Sequence, residues 1–335
     1  MYLKKVWVIV SLAMVLVFSL GAVEGQMGNS SNHTDVEAIY NSIRHSTPEY
    51  QWDESIVTFQ NEGMTLVCTL TIPRTNKKCP IVISLVGFTG TRNGDPILGS
   101  DEKDFERLSR ILAEQGFASL RVDYRGSGDS DGDYSMTTFS TQISDVLAAV
   151  EYIDSNLSRQ VDSNSIGIIG FSQGGLVGSA AAAKDKRVDS LVLWSPVSHA
   201  PIVYDGLLTK EGIKQGLTLE TGGSITLGIY VEGQYYWDVT LGKEFFEDLF
   251  NIDPIADIRN YKKPLMAICG HNDVIIWPQP AMSQLYLKYH NGSKKLVELD
   301  TDHSLNSWDG PLPEKFDDAI YWSTAWLIKT LNQKK

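Results

Sequence analysis

The feature that most constrains the fold is an isoleucine-rich run that breaks into Gly170-Phe171-Ser172-Gln173-Gly174 and continues into an alanine-rich segment. A Gly-x-Ser-x-Gly sequence between a strand and a helix is typical of a sharp turn that holds the serine hydroxyl out of the sheet. Glycines on both sides keep such a turn free of side-chain clashes. An ordinary strand-to-helix turn also fits the five residues alone, but the flanking strand and helix favour a nucleophile elbow at Ser172.

A serine nucleophile needs a histidine base, because an alkyl hydroxyl is a poor nucleophile at neutral pH. Among the six histidines, His303 follows the apolar run at residues 295–299 and precedes the last helical pattern. It also follows Ser172, as the chain order Ser, Asp, His requires. A solvated loop histidine is the alternative, and the position of His303 at a strand end favours the base.

The acid that orients this base should lie between the serine and the histidine, at the end of another strand. Asp273 follows the buried-type strand at residues 265–269 by a short turn that contains Gly270. Asp300 and Asp302 flank the histidine and are the competing candidates. Neighbours on a tight loop rarely point at the ring that they adjoin, so we assign the acid to Asp273.

An oxyanion hole needs two backbone N–H groups that point at the developing negative charge. One usually comes from the residue after the nucleophile, here Gln173, and the other from a loop after an earlier strand. The apolar run at residues 81–86 ends in Gly87-Phe88-Thr89-Gly90. We therefore assign the donors to the N–H groups of Phe88 and Gln173, with a plain glycine turn as the alternative for the first loop.

The rest of the chain predicts an α/β fold with a mostly parallel sheet flanked by helices. Short apolar runs alternate with segments of helical period, as repeated β and α units require. These runs are residues 65–72, 81–86, 118–122, 166–169, 190–194, 265–269 and 295–299.

The alternation stops at about residues 196–253, which we interpret as an inserted lid over the serine. The insertion is rich in aromatic residues and glycines, and its segment 218–236 suggests a small β-hairpin, with 224–227 and 228–231 as the strands. Each aromatic ring either lines the pocket or packs the insertion onto the body. The candidate substrate-binding residues are Trp194, Tyr235 and Trp237.

Five motifs in this order resemble those of the α/β-hydrolase superfamily, and within it those of the cinnamoyl and feruloyl esterases and related short-acyl carboxylesterases. The resemblance covers about residues 50–333 and implies Ser172 as nucleophile, Asp273 as acid, His303 as base, and Phe88 and Gln173 as oxyanion donors. Val86 and Phe171 stand where the family commonly has histidine, beside the expected acyl pocket. The motifs are Gly87-Phe88-Thr89-Gly90, the segment 121–132, Gly170-Phe171-Ser172-Gln173-Gly174-Gly175, Gly270-His271-Asn272-Asp273 and Asp302-His303.

The N-terminus has the pattern of a secretory signal, with Lys4 and Lys5 before an apolar run at residues 6–20 and small residues after it. The predicted organisation is a signal peptide at 1–25, a polar segment at 26–48 and a hydrolase domain at 49–335. An uncleaved membrane anchor is the alternative. In an oxidising compartment Cys68 and Cys79 are candidates for pairing, and Cys269 is expected to be a free core thiol.

The net charge of −12 disfavours nucleic acids and anionic surfaces as partners, and the sequence predicts neither a metal site nor a cofactor. We interpret the chain as an exported serine carboxylesterase that acts on small-molecule esters, with hydroxycinnamoyl (feruloyl) esters among the candidates. The alternatives are an acylglycerol lipase, a serine peptidase on the same scaffold and a catalytically silent binding protein. The sequence leaves the oligomeric state open, and a membrane is a partner only if the N-terminal segment is uncleaved.

Overall fold

A computed structural model describes residues 35–308 and 314–331. The strands are β1 (Trp52–Asn61), β2 (Met64–Pro73), β3 (Pro80–Leu85), β4 (Ala118–Val122), β5 (Asp162–Phe171), β6 (Val188–Trp194), β7 (Ser224–Val231), β8 (Gln234–Gly242), β9 (Leu265–Gly270) and β10 (Lys294–Leu299). The α-helices are α1 (Val36–Ile43), α2 (Asp104–Glu114), α3 (Phe139–Tyr152), α4 (Gln173–Lys184), α5 (Ala200–Leu208), α6 (Lys210–Leu217), α7 (Lys243–Asn251), α8 (Pro254–Ile258), α9 (Ala281–Tyr289) and α10 (Glu314–Leu331).

The main sheet has eight strands in the order β1-β2-β4-β3-β5-β6-β9-β10. Strand β2 is antiparallel to β1 and β4, and the pairs from β4 to β10 are parallel. Helices pack on both faces: α3, α4, α8 and α9 form one layer, and α1, α2 and α10 form the other. Central strands such as β6 and β9 are buried along their whole length, which is why they are continuous apolar runs.

The predicted α/β fold is confirmed, and the seven apolar runs correspond to strands of the sheet, with the run at 81–86 extending one residue beyond the end of β3 at Leu85. Strand β1 was not predicted. It is an edge strand whose residues are mostly exposed, and its sequence from Trp52 to Asn61 mixes charged, polar and apolar residues. A strand with so little burial carries a weak hydrophobic pattern.

Residues between β6 and β9 form the irregular part of the fold: helices α5 to α8 and an antiparallel pair of strands, β7 and β8. The predicted hairpin is present, but its strands were placed wrongly. Residues 224–231 form the single strand β7, and its partner β8 begins at Gln234. The turn lies at Glu232 and Gly233, where both residues have positive φ.

Cys68, Cys79 and Cys269 are all free and buried. Cys68 lies in β2 and Cys79 directly precedes β3, and β4 lies between these two strands in the sheet. The predicted signal peptide lies outside the described residues. Within the described part of the chain, no helix is both long and apolar enough to cross a membrane.

Candidate active site

Ser172 occupies the turn between β5 and α4 with φ of 54° and ψ of −117°. A residue with a side chain rarely adopts positive φ, so the surrounding structure holds this turn under strain. A Cβ on Gly170 would lie 2.3 Å from the carbonyl oxygen of Gly174, and a Cβ on Gly174 would lie 2.4 Å from the carbonyl oxygen of Leu85. Backbone atoms therefore exclude any side chain at either glycine of the motif.

The structure brings the predicted nucleophile, base and acid together. His303 Nε2 lies 3.1 Å from Ser172 Oγ, and His303 Nδ1 lies 2.9 Å from Asp273 Oδ2. All three residues are buried. They follow β5, β10 and β9, whose carboxyl ends meet at one edge of the sheet because these strands run parallel.

Asp273 is held by two further hydrogen bonds, since its Oδ1 accepts from the N–H groups of Ile275 at 2.9 Å and Ile276 at 2.8 Å. Burial raises the pKa of this carboxyl, but the charge and hydrogen bond of His303 and these N–H groups outweigh burial, so the pKa lies below its ordinary value. An ionised Asp273 accepts the Nδ1–H of His303. Nε2 is then free to accept the proton of Ser172.

The two competing carboxylates point elsewhere. Asp302 Oδ1 accepts from Ser304 Oγ at 2.7 Å and from the N–H of Asn306 at 2.8 Å, so it stabilises its own loop. Asp300 is exposed and pairs with Lys315 at 3.1 Å. Among the described residues, Asp273 is the carboxylate that bonds to His303.

The loop after β3 lies against the serine, because a Cβ on Gly87 would be 3.2 Å from Ser172 Cβ. Within the described ranges, the backbone N–H groups of Phe88 and Gln173 donate to no protein acceptor. The N–H of Gln173 belongs to the first turn of α4, where helix geometry leaves it unpaired and the helix dipole favours negative charge. The two predicted donors therefore border the nucleophile and are available to an oxyanion.

A cavity of about 420 Å³ opens onto Ser172 and His303. Its size and mainly apolar wall suit a small organic molecule. The segment between β6 and β9 supplies part of this wall, from helix α5 and both strands of the hairpin. The apolar side chains include Phe105, Phe171, Leu207, Ile229, Tyr236 and Trp308.

The charged part of the cavity wall is acidic, with Asp95, Asp104 and Asp302, and no lysine or arginine of the described residues lines it. Asp104 is 4% exposed, and its Oδ1 accepts from the N–H groups of Asp95 and Phe105 at 3.0 and 2.7 Å. Burial, with the nearby charge of Asp95, raises the pKa of Asp104 to about 7. Groups of three or more His, Cys, Asp or Glu side chains that could hold a metal are absent from residues 35–308 and 314–331.

The three predicted substrate-binding residues are in different places. Trp237 lines the cavity. Tyr235 is 52% exposed and packs against Tyr230, outside the lining. Trp194 lies in the core, where its Nε1 donates to Ser323 Oγ at 2.8 Å. The prediction that it lines the cavity is therefore wrong.

Val86 and Phe171 do lie beside the pocket, as the resemblance implies, and the Phe171 ring is 5.0 Å from the His303 ring. Sequence reasoning missed Asp104 and Trp308. Trp308 is on the His303 loop, with ring centroids 6.4 Å apart, and no pattern in the sequence singles it out. Asp104 begins α2, and an acidic residue in a first helical turn ordinarily indicates only helix stabilisation.

Comparison with known proteins gives a family for the segment around the serine. The family model described as X-Pro dipeptidyl-peptidase (S15 family) matches residues 62–230. An uncharacterized 31.7 kDa protein in the traX-finO intergenic region of Escherichia coli is 33% identical over 295 residues, which are 81% of this chain and 97% of that protein.

Solved structures share the fold. Est1E from Butyrivibrio proteoclasticus, solved with ferulic acid bound, has a TM-score of 0.62 at 24% identity, with 81% of this chain and 99% of that chain covered. The hypothetical protein PA2218 from Pseudomonas aeruginosa has a TM-score of 0.63 at 18% identity, with 90% and 100% covered. At these identities the likeness establishes the fold alone.

Proposed function

The chain belongs to the X-Pro dipeptidyl-peptidase (S15) family, within the α/β-hydrolase superfamily, and we propose that it is a serine carboxylesterase acting on small uncharged esters. The observation that carries this proposal is the series of hydrogen bonds from Ser172 through His303 to Asp273 at the mouth of an apolar cavity. Such a series activates a hydroxyl for attack on a carbonyl carbon.

In the first half of the proposed reaction, Ser172 Oγ attacks the ester carbonyl carbon while His303 Nε2 takes the hydroxyl proton. The carbonyl oxygen becomes an oxyanion that accepts from the N–H groups of Phe88 and Gln173. His303 then gives its proton to the departing alcohol as the tetrahedral intermediate collapses. The product is an acyl-enzyme on Ser172.

In the second half, a water molecule takes the place of the alcohol. His303 Nε2 accepts a proton from this water as its oxygen attacks the acyl carbon, and the same N–H groups hold the new oxyanion. Collapse of the intermediate returns the proton to Ser172 Oγ and releases the carboxylic acid. Asp273 stays ionised throughout and stabilises the imidazolium of His303.

The charges of the cavity wall disfavour an anionic acyl group. Asp95 and Asp302 repel a substrate carboxylate or phosphate, as does Asp104 once it is ionised above about pH 7, and within the described chain no lysine or arginine of the lining offsets them. Hydroxycinnamoyl esters are uncharged, and Est1E, which shares the fold, was solved with ferulic acid. Feruloyl esters are therefore our first candidates within this class.

We also propose that the segment at about 196–253 is the lid expected from the sequence. Leu207, Ile229, Tyr236 and Trp237 of this segment contribute to the cavity wall. Tyr236 and Trp237 are also 50% and 42% exposed, so they lie where the wall meets solvent. Substitution of either residue should change acyl preference more than the turnover of a minimal acetyl ester.

The family match favours a second candidate, an X-Pro dipeptidyl-peptidase, which is the activity that the family's description names. An anilide of an Xaa-Pro dipeptide tests this activity directly. The same panel should contain a long-chain acylglycerol to test for a lipase. Turnover of the Xaa-Pro anilide above that of every ester would replace our proposal with the peptidase.

Export is a further proposal, based on the pattern at residues 1–25. Mass spectrometry of the protein made in a secreting host should find a mature N-terminus between about Val23 and Met27. An intact Met1 in the membrane fraction would instead support the anchor.

A fluorophosphonate probe and an ester panel test the proposed function together. We expect the probe to label Ser172, and the panel to show turnover of feruloyl and short acyl esters but weak turnover of a matched succinyl monoester. Ser172→Ala should abolish labelling and reduce turnover by several powers of ten while the fold is kept. An unlabelled wild-type protein would support the silent binding protein, and more than about a tenth of wild-type turnover in Ser172→Ala would exclude Ser172 as nucleophile.

A further inference from the structure

The side chain of Gln173 takes no part in the reaction above, yet it lies in a buried polar network. Its Oε1 accepts a hydrogen bond from Tyr204 Oη, and its Nε2 donates to Gln142 Oε1 at 2.7 Å. All three residues are 1% exposed. Both ends of the amide are therefore satisfied, one by helix α5 of the insertion and the other by α3 of the main body.

Tyr204 also contacts the other residue that supplies an oxyanion donor. Its ring meets the Phe88 ring edge-on, with centroids 5.2 Å apart and planes at 89°. Phe245 of α7 packs against both rings, 5.3 Å from Tyr204 and 5.8 Å from Phe88. One side chain of the segment between β6 and β9 thus touches both residues whose backbone N–H groups are assigned as oxyanion donors.

We propose that Tyr204 is a positioning residue, which holds the N–H groups of Gln173 and Phe88 in the geometry that the oxyanion requires. This inference rests on the proposed function. The hydroxyl fixes the first residue of α4 through the Gln173 side chain, and the ring fixes the loop after β3 through Phe88. Oxyanion donors must be preorganised to act, because a donor that has to move when charge develops loses most of its effect.

The polar composition of this network supports a positioning role over simple packing. A buried amide and hydroxyl must both be satisfied, and an apolar pair of similar volume would fill the same space without that requirement. The hydrogen bonds of the network fix the orientation of the Gln173 side chain, which apolar packing alone would not do. It places Gln173 between the insertion and the main body, so the insertion contributes to the chemistry and not only to the cavity wall.

Tyr204→Phe tests the role of the hydroxyl, because it keeps the ring on Phe88 and removes the bond to Gln173. We expect kcat for a short acyl ester to fall about three- to tenfold with KM unchanged, the effect of one neutral hydrogen bond. Affinity for an arylboronic acid, which forms a tetrahedral adduct with the serine, should fall by a similar factor. A role limited to stability would leave kcat and boronate affinity of the folded protein unchanged.

Tyr40→Phe is the matched control. Its hydroxyl also donates to another side chain, Asp318 Oδ1 at 2.9 Å, in the contact between α1 and α10. This variant should lose thermal stability and keep kcat, KM and boronate affinity. It separates the loss of a tyrosine hydrogen bond from an effect on the oxyanion donors.

Gln173→Leu gives a second, independent variant, since it removes the side-chain amide and keeps the backbone N–H. If Tyr204 acts through Gln173, the double variant with Tyr204→Phe should be no slower than the slower single variant. Additive losses, a wild-type kcat in Tyr204→Phe, or a rise in KM at constant kcat would each overturn the inference.

Failure of the inference differs from failure of the proposed function. A wild-type protein that reacts with fluorophosphonate and hydrolyses esters, beside a Tyr204→Phe variant with equal kcat, removes only the role of Tyr204. A wild-type protein without labelling or ester turnover removes the proposed function and this inference with it.

Discussion

Asp273 Oδ2 lies 2.9 Å from His303 Nδ1, although 30 positions separate the two residues in the chain. The contact exists because β9 and β10 are parallel neighbours, with Leu299 opposite Gly270, so the loops after them begin side by side. Asp302 adjoins His303 in sequence but is turned into its own loop. Strand order, and not distance along the chain, decides which carboxylate reaches the imidazole.

This arrangement predicts that Asp273→Asn lowers kcat/KM for a short acyl ester by about three to four powers of ten. The amide no longer fixes the tautomer of His303 or stabilises the imidazolium. Asp300→Asn should stay close to wild type, and Asp302→Asn should lose less than Asp273→Asn. If Asp302→Asn is the slowest of the three, the acid is Asp302.

The triad candidates could be chosen from sequence because each follows an apolar run that becomes a central strand. Buried parallel strands are apolar on both faces, so their ends are visible in the sequence and the residues after them share one edge of the sheet. The order of Ser172, Asp273 and His303 then left few choices. The same reasoning found Phe88, since the run before it becomes β3.

The cavity wall could not be predicted in this way. Trp194 is one of the three substrate-binding candidates, but its ring packs against Phe105 and Phe316 in the core. In β8, Tyr235 is outside the cavity lining, whereas Tyr236 and Trp237 both belong to it. The packing of the hairpin on the body decides which aromatic residues reach the cavity. This packing is a tertiary property that local sequence patterns do not predict.

The strained elbow gives a prediction for Gly174→Ala. A Cβ there would lie 2.4 Å from the carbonyl oxygen of Leu85 and 2.5 Å from that of Val86, so α4 or β3 must shift. Displacement of α4 moves Ser172 and the N–H of Gln173 together. We expect turnover to fall at least about a hundredfold, the cost of one misplaced oxyanion donor, with a lower melting temperature.

Gly206→Ala is the control for this substitution. A Cβ on Gly206 meets no atom within 4 Å, and the residue lies within helix α5. Alanine should raise stability by roughly 0.5–1 kcal/mol, because glycine is costly inside a helix. Unchanged turnover in Gly206→Ala beside a loss in Gly174→Ala would assign the loss to the elbow. Wild-type turnover in Gly174→Ala would contradict the expectation that a Cβ at this position displaces α4 or β3.

The raised pKa of Asp104 predicts a pH-dependent stability. Burial raises this pKa from its ordinary value of 3.8 to about 7 in the folded protein. The folded state therefore holds the proton more tightly than the unfolded state, and stability falls as pH rises from about 4 to about 7. Asp104→Asn should melt near the wild-type temperature at pH 4 and on the order of 5 °C above it at pH 8.

Asp300→Asn is the comparison variant, because the pKa of Asp300 is shifted in the opposite direction from that of Asp104. The hydrogen bond from Lys315 lowers the pKa of Asp300, which is exposed, so its charge is favourable in the folded state. Removal of that charge should give no gain in melting temperature at pH 8. An equal gain in both variants would trace the effect to net charge, since the chain carries −12, and not to the burial of Asp104.

Two substitutions of Phe88 distinguish a role of its backbone N–H in catalysis from a role of its side chain. Phe88→Leu keeps the N–H and loses the ring contacts with Tyr204 and Phe245, so it should change acyl preference and reduce turnover modestly. Phe88→Pro deletes the N–H and should reduce turnover by about two to three powers of ten, the cost of one lost oxyanion donor. Circular dichroism must show both variants folded. Equal large losses in both would place the effect in the ring, and the second donor would then belong to another residue of the loop. Thr89 could take that role only by giving up the hydrogen bond that its N–H donates to Tyr134 Oη at 2.8 Å.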